Sequence, residues 1–141
     1  MWRVDRTEPY GIISVMKRGK LIDNHVHLQD HEWKTVDTLL DKGNDIELIP
    51  AAKSKNHRKP DILMGGIRWE IKAPKGDGKR NAQNKIQDAV GQSPYIIIDL
   101  FRCKMAEPRA LRDFEREFRL SKPAKRLMII KKNREILDFS K

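Results

Sequence analysis

The sequence PDILMGGIRWEIK, residues 60–72, holds the clearest structural signal in the chain. Two short apolar-rich runs flank Gly65-Gly66, a dipeptide that tolerates the positive φ values of a two-residue hairpin turn. This turn pairs Asp61 with Glu70, and directly opposed side chains share one face of a sheet, about 4.5 to 5.5 Å apart. The sequence therefore predicts a β-hairpin that carries two neighbouring carboxylates on one face.

Like charges directly opposite each other destabilise a sheet, so the two carboxylates need compensation. The candidates are Mg²⁺ or another divalent cation, a shared proton, or Lys72, which lies on the same face as Glu70. Two carboxylates beside a lysine suit phosphodiester hydrolysis, because a metal ion activates water and the ammonium offsets charge in the transition state. Asp61 and Glu70 are thus candidate metal ligands, and both are candidate catalytic residues together with Lys72. The alternative is a solvent-facing hairpin edge on which Glu70 and Lys72 merely alternate with core residues.

Outward from the hairpin, apolar periodicity and Gly or Pro punctuation mark the other elements. Before it lie a helix that follows Asp30 as capping residue and a strand that ends at Pro50. After it lie a helix that ends at Gly91, a continuous apolar strand, a helix that begins at Pro108 and a second hairpin. The expected bounds of the elements around the first hairpin are 31–42, 45–49, 82–90, 95–100, 108–118, 126–131 and 135–139.

These elements predict a single α+β domain with the order α-β-β-β-α-β-α-β-β around a central mixed or antiparallel sheet. The nuclease-like domain is expected over residues 30–141. Residues 1–29 form an N-terminal arm whose order the sequence leaves open. Four aromatic residues fall on the apolar periodicity and are assigned to the core, not to base stacking: Trp33, Trp69, Phe114 and Phe118.

Composition excludes several classes of protein. The chain has 141 residues, a length typical of one domain, and no apolar run approaches the roughly 20 residues of a membrane-spanning helix. Charges in the first six residues leave no readable signal peptide. Cys103 is the single cysteine, which excludes an internal disulfide framework and a Cys-rich zinc site.

The net charge of +10 is concentrated in the second half of the chain. Residues 1–70 carry 12 basic and 11 acidic side chains, whereas residues 71–141 carry 18 and 9. Such a surface attracts a polyanion through counterion release. A solvated basic surface that serves solubility and an acidic protein partner are the alternatives.

Basic and glycine residues between Lys75 and Arg80 suggest a phosphate-binding loop, because glycine lets backbone N–H groups approach a phosphate and the flanking cations hold it. The alternative is a mobile basic turn. The residues expected to contact substrate are Lys59, Lys75, Lys79, Arg80 and Gln92.

His25, His27 and His31 crowd one short segment ahead of Glu32. Metal-free RNA cleavage needs a general acid and a general base, ideally a group that titrates near neutral pH, so His31 is a further catalytic candidate. The alternative for these histidines is polar surface structure or helix capping.

Two family resemblances follow from these residues. Pro60-Asp61, eight intervening residues and Glu70-Ile71-Lys72 resemble the signature of the PD-(D/E)xK nucleases, whose core has a similar helix, three strands, helix, strand order. A longer pattern resembles the C-terminal tRNase domain of contact-dependent growth inhibition toxins, the CdiA C-terminal family, over about residues 31–139. The segments that carry this second resemblance are 59–66, 69–76, 89–93 and 96–100.

The CdiA resemblance implies a ribonuclease toxin that is the tail of a larger protein, is delivered into a target bacterial cell, acts in the cytoplasm and is neutralised by an immunity protein, here expected to be acidic. Related toxins often adopt the Barnase/EndoU/colicin/RelE fold and cleave RNA without metal, through the 2′-hydroxyl. The resulting prediction is a toxin-type nuclease, with RNA, and tRNA in particular, favoured over DNA. One alternative is a metal-dependent PD-(D/E)xK DNA endonuclease, and a second is a non-catalytic basic nucleic-acid-binding module.

Overall fold

The chain folds as an α+β protein whose elements divide between two compact units, Met1–Gly66 and Ile67–Lys141. The computed structural model describes residues 2–5, 14–50 and 61–141, with the backbone alone at 2–5, 14–16 and 61. From residue 30 onward the elements follow the predicted order α-β-β-β-α-β-α-β-β, which confirms the fold class.

The first unit has one helix and five strands among its described residues. Strands β1 and β2 are antiparallel, and β4 pairs in parallel with β3 and antiparallel with β5. The elements are β1 (Trp2–Asp5), β2 (Ser14–Lys17), β3 (Leu21–Ile22), α1 (Asp30–Asp41), β4 (Ile46–Ile49) and β5 (Asp61–Met64). Residues 1–29, whose order the sequence left open, thus contribute three strands.

Helix α1 follows the prediction closely at both ends. It begins at Asp30, which is therefore its first helical residue and not the expected cap. The cap is Gln29, whose backbone N–H donates to the Glu32 carboxylate at 3.0 Å. Gly43, with φ of +93°, follows the end of the helix and its N–H bonds to the Leu40 carbonyl, as expected of a glycine terminator.

Arg18 connects the segment before β3 to α1. Its guanidinium donates hydrogen bonds to the carboxylates of Asp37, at 2.6 Å, and Asp41. The hydrogen bond to Asp37 is the main cause of a raised pKa of Arg18, so the guanidinium stays protonated.

The second unit is a mixed sheet covered on one face by two helices. Strands β6, β7 and β8 are parallel, and β9 is antiparallel to β8. Side chains of α2 and α3 join those of the strands in one core cluster that includes Ile86, Phe114 and Ile98. The elements are β6 (Ile67–Lys72), α2 (Asn81–Val90), β7 (Tyr95–Asp99), α3 (Glu107–Leu120), β8 (Arg126–Ile130) and β9 (Ile136–Ser140).

The continuous apolar run of β7 is buried as predicted, because it pairs with a strand on each side and its residues from Ile96 to Asp99 are covered on both faces. Trp69, Phe114 and Phe118 are fully buried, which confirms three of the four aromatic assignments. Trp33 is only half-buried in the first turn of α1, so its assignment to the core was wrong. Periodicity identifies the face on which a residue lies but not how far that end of the helix is covered.

The chain turns between β5 and β6 at Gly65 and Gly66, as predicted. Both glycines have positive φ, +62° and +75°, which is the conformation required at the two central positions of a type I′ turn. The pairing of Asp61 with Glu70 across that turn stays a prediction.

Gly19 makes the tightest backbone approach of any described glycine. Its N–H donates to the Leu40 carbonyl at 2.8 Å, and a Cβ at this position would lie 1.7 Å from the Asn44 carbonyl oxygen. We expect Gly19→Ala to lower the free energy of unfolding by at least about 2 kcal/mol, because backbone atoms would have to move apart. Urea denaturation measures the loss.

The matched control for that substitution is Gly78→Ala, where an added Cβ meets nothing within 4 Å. It should change the free energy of unfolding by less than about 0.5 kcal/mol, as surface substitutions usually do. Equal effects of the two substitutions would contradict the packing argument.

Candidate active site

Glu70 and Lys72 lie on the helix-covered face of the second unit's sheet. In the parallel register Glu70 pairs with Ile96 and Lys72 with Ile98, and both isoleucines belong to the core that α2 and α3 cover. Alternate residues of a strand share a face, so the two charged side chains lie beside that core. The alternative of a solvent-facing hairpin edge is therefore wrong.

The two side chains form an ion pair with little access to water. Lys72 Nζ lies 3.4 Å from Glu70 Oε2, and the side chains are 13% and 3% exposed. A buried carboxylate is costly unless it is paired, and the neighbouring ammonium supplies that pairing. The strand geometry thus holds the Glu70 carboxylate next to the Lys72 ammonium group. Lys72 was one of the candidates that the sequence offered for compensating the carboxylates.

Asp61 begins β5, where its Cα pairs with that of Ile49 in β4. Its side chain lies outside the described residues, so its role beside Glu70 stays a prediction. Among the described side chains, no three of His, Cys, Asp or Glu are grouped closely enough to hold a metal ion. The proposed ligand pair of Asp61 and Glu70 is not tested by that result.

The loop after β6, residues 73–80, is fixed through its carbonyl oxygens. Arg102 Nε donates to the Ala73 carbonyl at 2.9 Å, and the Lys104 N–H donates to that of Lys75 at 3.1 Å. The Gly76 carbonyl accepts from Asn81 Nδ2 at 2.9 Å. These bonds argue against the alternative of a mobile basic turn.

The cations of this loop are exposed while its backbone is held. Lys75, Lys79 and Arg80 are all exposed, beyond the buried Pro74. An exposed cation on an anchored backbone loses less conformational freedom when it binds an anion than one on a disordered segment. The contact of this loop with phosphates stays a prediction.

Two of the remaining predicted site residues lie within the described part of the chain. Gln92 is exposed after α2, whereas its neighbour Ser93 is buried and its hydroxyl donates to the Arg68 carbonyl at 2.7 Å. His31 is half-buried in the first turn of α1, in the other unit. Lys59 lies outside the described residues.

Helix α1 begins after His27, so His27 and His31 do not share a helix face. His25 precedes them in a turn with φ of +59°. The proposed role of His31 in acid or base catalysis stays a prediction.

A buried ion pair that sequence reasoning missed lies at the end of β7. Both carboxylate oxygens of Asp99 accept hydrogen bonds from Arg134, each at 2.8 Å, and Asp99 is completely buried. Asp99 Oδ1 also accepts from the N–H of Phe101 at 3.0 Å, at the start of the segment that holds the loop. The signal in the sequence was a lone aspartate after three isoleucines, but its partner is 35 residues away.

Comparison of the sequence with known protein families gives one match that contains these residues. Residues 58–136, more than half of the chain, match the family described as the contact-dependent growth inhibition CdiA C-terminal domain. The chain belongs to this family. This confirms the resemblance to the CdiA C-terminal family and makes the chain a toxin domain of contact-dependent growth inhibition, whereas the tRNase specificity and the PD-(D/E)xK signature stay predictions. The matched region contains the Glu70–Lys72 pair, the 73–80 loop and Asp99.

A solved structure described as the CdiA-CT/CdiI toxin and immunity complex from Burkholderia pseudomallei has a similar fold. The TM-score is 0.65 at 16% sequence identity, over 87% of this chain and 100% of that chain. At this identity the likeness concerns the fold. No curated protein matches the CdiA-type domain described here. Within the described residues, none of the three helices is long and apolar enough to cross a membrane.

The Asp99–Arg134 pair gives a stability prediction for this CdiA-type domain. We expect Asp99→Asn to lower the free energy of unfolding by about 3 kcal/mol or more, because it removes one partner of a buried pair and leaves the Arg134 charge uncompensated. Urea denaturation measures the loss.

The control is Asp138→Asn, which removes the partner of Arg126 in an exposed pair at 2.6 Å. Exposed pairs contribute about 0.2 to 1 kcal/mol, so the loss should stay within that range. If Asp99→Asn lowered the free energy of unfolding no more than Asp138→Asn does, the argument that the buried pair stabilises the fold would be wrong.

Proposed function

We propose that this toxin domain is a nuclease that cleaves phosphodiester bonds, with RNA, and tRNA in particular, as its favoured substrate. One observation carries the proposal: the buried Glu70–Lys72 pair leads directly into the anchored basic loop at 73–80. An acid and a cation at the end of a strand, followed by a fixed set of exposed cations, suit the binding and hydrolysis of a phosphodiester.

In this proposal the residues divide the work between positioning and chemistry. Lys75, Lys79 and Arg80 hold the phosphates that flank the scissile bond, with Lys59 and Gln92 as further substrate contacts. Lys72 offsets the negative charge that develops on the phosphoryl oxygens. Glu70 accepts or donates the proton that the reaction moves, or it binds a metal ion.

A divalent cation such as Mg²⁺ would be held by Asp61 and Glu70. The carboxylate of Glu70 fits this role in its chemistry and burial, since Mg²⁺ prefers oxygen ligands. When bound, such an ion supplies activated water and neutralises phosphate charge. In a metal-free ribonuclease the 2′-hydroxyl is the nucleophile instead, and His31 is then the candidate acid or base.

The preference for RNA comes from the CdiA resemblance, whereas the PD-(D/E)xK-like spacing of Asp61, Glu70 and Lys72 supports a metal-dependent DNA endonuclease as the alternative. The second alternative is a non-catalytic module that binds nucleic acid through the basic loop alone.

We also propose that the domain is delivered into a target bacterial cell, acts in its cytoplasm and is neutralised there by an acidic immunity protein. The structure with a similar fold is described as a toxin and immunity complex, and the basic charge of residues 71–141 suits an acidic partner.

Glu70→Gln tests the site directly. We expect turnover to fall by about 10² or more while tRNA binding is retained, because the substitution removes the charge that binds metal or moves a proton but keeps the shape. Cleavage of purified bacterial tRNA and of DNA on denaturing gels, beside a filter-binding assay, measures both quantities.

Glu115→Gln is the matched control. Glu115 pairs with Arg119 on the solvent-exposed side of α3 and takes no part in the proposed site. It should leave turnover unchanged. Unchanged turnover in Glu70→Gln would refute the site. If charge reversal at Lys75, Lys79 and Arg80 abolished binding while no preparation cleaved nucleic acid, the non-catalytic module would replace the nuclease.

Chelation of divalent cations distinguishes metal-dependent cleavage from metal-free cleavage. If Asp61 and Glu70 hold a metal ion, excess EDTA should abolish cleavage and added Mg²⁺ should restore it. Discrete tRNA fragments that persist in EDTA would instead favour the metal-free mechanism. Intact DNA beside cleaved tRNA would identify the protein as a ribonuclease.

A further inference from the structure

The ion-pair cluster around Asp113 in α3 contains one arginine more than it has carboxylates. The buried side chain of Asp113 is approached by the guanidinium groups of Arg109 at 3.4 Å, Arg116 at 3.2 Å and Arg112 at 3.7 Å. Arg116 also contacts Glu117 at 3.2 Å. Three guanidinium groups thus share two carboxylates, which leaves one positive charge in excess within this cluster.

Other arginines of the second unit contrast with this cluster. Arg119 pairs with Glu115, Arg126 with Asp138, and Arg134 with Asp99. Each of these pairs has one positive and one negative group, so none carries an excess positive charge for a further anion. The excess charge at Asp113 therefore distinguishes this cluster from the three pairs.

Arg109 joins this part of α3 to the loop after β6. Its Nη2 donates to the Gly78 carbonyl at 3.3 Å, while its Nε faces Asp113. Lys104 joins the loop from the segment before α3, through its N–H bond to the Lys75 carbonyl. These bonds connect one basic surface, which we call the α3–loop surface: Lys75, Lys79, Arg80, Lys104, Arg109 and Arg112.

Arg112 is the member of this surface best placed to take a new anion. Its side chain is 70% exposed, and its Nε faces Asp113 at the long distance of 3.7 Å. Within the described part of the chain, neither of its two Nη groups has a hydrogen-bond partner. A planar guanidinium with both Nη groups available binds a phosphate through two parallel hydrogen bonds.

We infer that Arg112 is a further nucleic-acid contact, and that the α3–loop surface binds a phosphate beyond those held by the 73–80 loop. The inference rests on the proposed function in taking nucleic acid as the ligand. Asp113 restrains the guanidinium groups that lie beside it, so less side-chain freedom is lost on binding. A nucleic-acid strand is favoured over an acidic protein because this surface is continuous with the loop that follows Lys72.

The test measures the affinity for fluorescein-labelled bacterial tRNA by anisotropy at several salt concentrations. All variants carry Glu70→Gln so that the RNA stays intact. Adding Arg112→Gln should weaken binding about three- to tenfold near 0.1 M salt and lower the slope of log Kd against log salt by about 0.7 to 0.9, the value of one phosphate contact. Arg112→Lys, which keeps the charge, should restore the slope.

Arg119→Gln in the same background is the control, because it removes one positive charge from the same helix but from a neutral pair. It should leave the slope unchanged. Equal effects of Arg112→Gln and Arg119→Gln would overturn the inference in favour of net charge alone. Normal tRNA binding by Arg112→Gln would also overturn it, and lost binding to poly-L-glutamate in that case would assign the surface to an acidic protein.

The outcomes also separate this inference from the nuclease proposal. If the protein with native Glu70 cleaves tRNA and Arg112→Gln leaves binding unchanged, the nuclease stands and the inference fails. If no nucleic acid is cleaved but the slope still depends on Arg112, the inference stands and the nuclease fails. Thermal melts of each variant verify that the folded protein is compared throughout.

Discussion

The burial of β7 on both faces is the constraint from which much of the second unit follows. A polar group that is buried on this strand or beside it cannot rely on water, so it must have a partner inside the protein. Asp99 meets this requirement through Arg134, and Glu70 on the neighbouring strand meets it through Lys72. The two carboxylates lie on opposite faces of the sheet. Glu70 pairs with Ile96 and shares its face, whereas Asp99 is an odd number of residues from Ile96 and faces the other way.

The ion pair at the end of β7 also helps to hold the loop after β6. Asp99 accepts the N–H of Phe101, and the next residues along the chain, Arg102 and Lys104, bond to carbonyls of the 73–80 loop. A buried pair thus fixes the segment that fixes the exposed loop. This sequence of contacts explains how a loop rich in glycine and lysine keeps one conformation without secondary structure of its own.

The sequence predicted the elements after residue 30 because their signals are local. Gly43, Gly65-Gly66, Gly91 and Pro108 mark boundaries that the structure confirms, and the isoleucines of β7 identify a central strand. The burial of Glu70 was not predicted, since alternation along β6 gives the face of a residue and not what covers that face. The Asp99–Arg134 pair and the bond from Arg109 to Gly78 join residues more than 30 positions apart, and a single sequence carries no signal of such a contact. Strand β3 has only two residues, and the alternation of Trp2-Arg3-Val4-Asp5 in β1 covers only four, so these short patterns left the order of residues 1–29 open.

The ion pairs also change how the charge of the second half of the chain should be understood. The excess of 18 basic over 9 acidic side chains suggests a uniformly basic surface. Six of the arginines form two groups. Arg119, Arg126 and Arg134 are each matched to a single carboxylate, whereas the other three are gathered around Asp113. Of these two groups, the second has one arginine more than it has carboxylates, and Arg109 connects it to the loop that follows Lys72. Net charge alone would allow a polyanion to bind anywhere on this half of the chain, whereas the distribution of ion pairs favours binding next to the candidate active site, where a strand must lie to be cleaved.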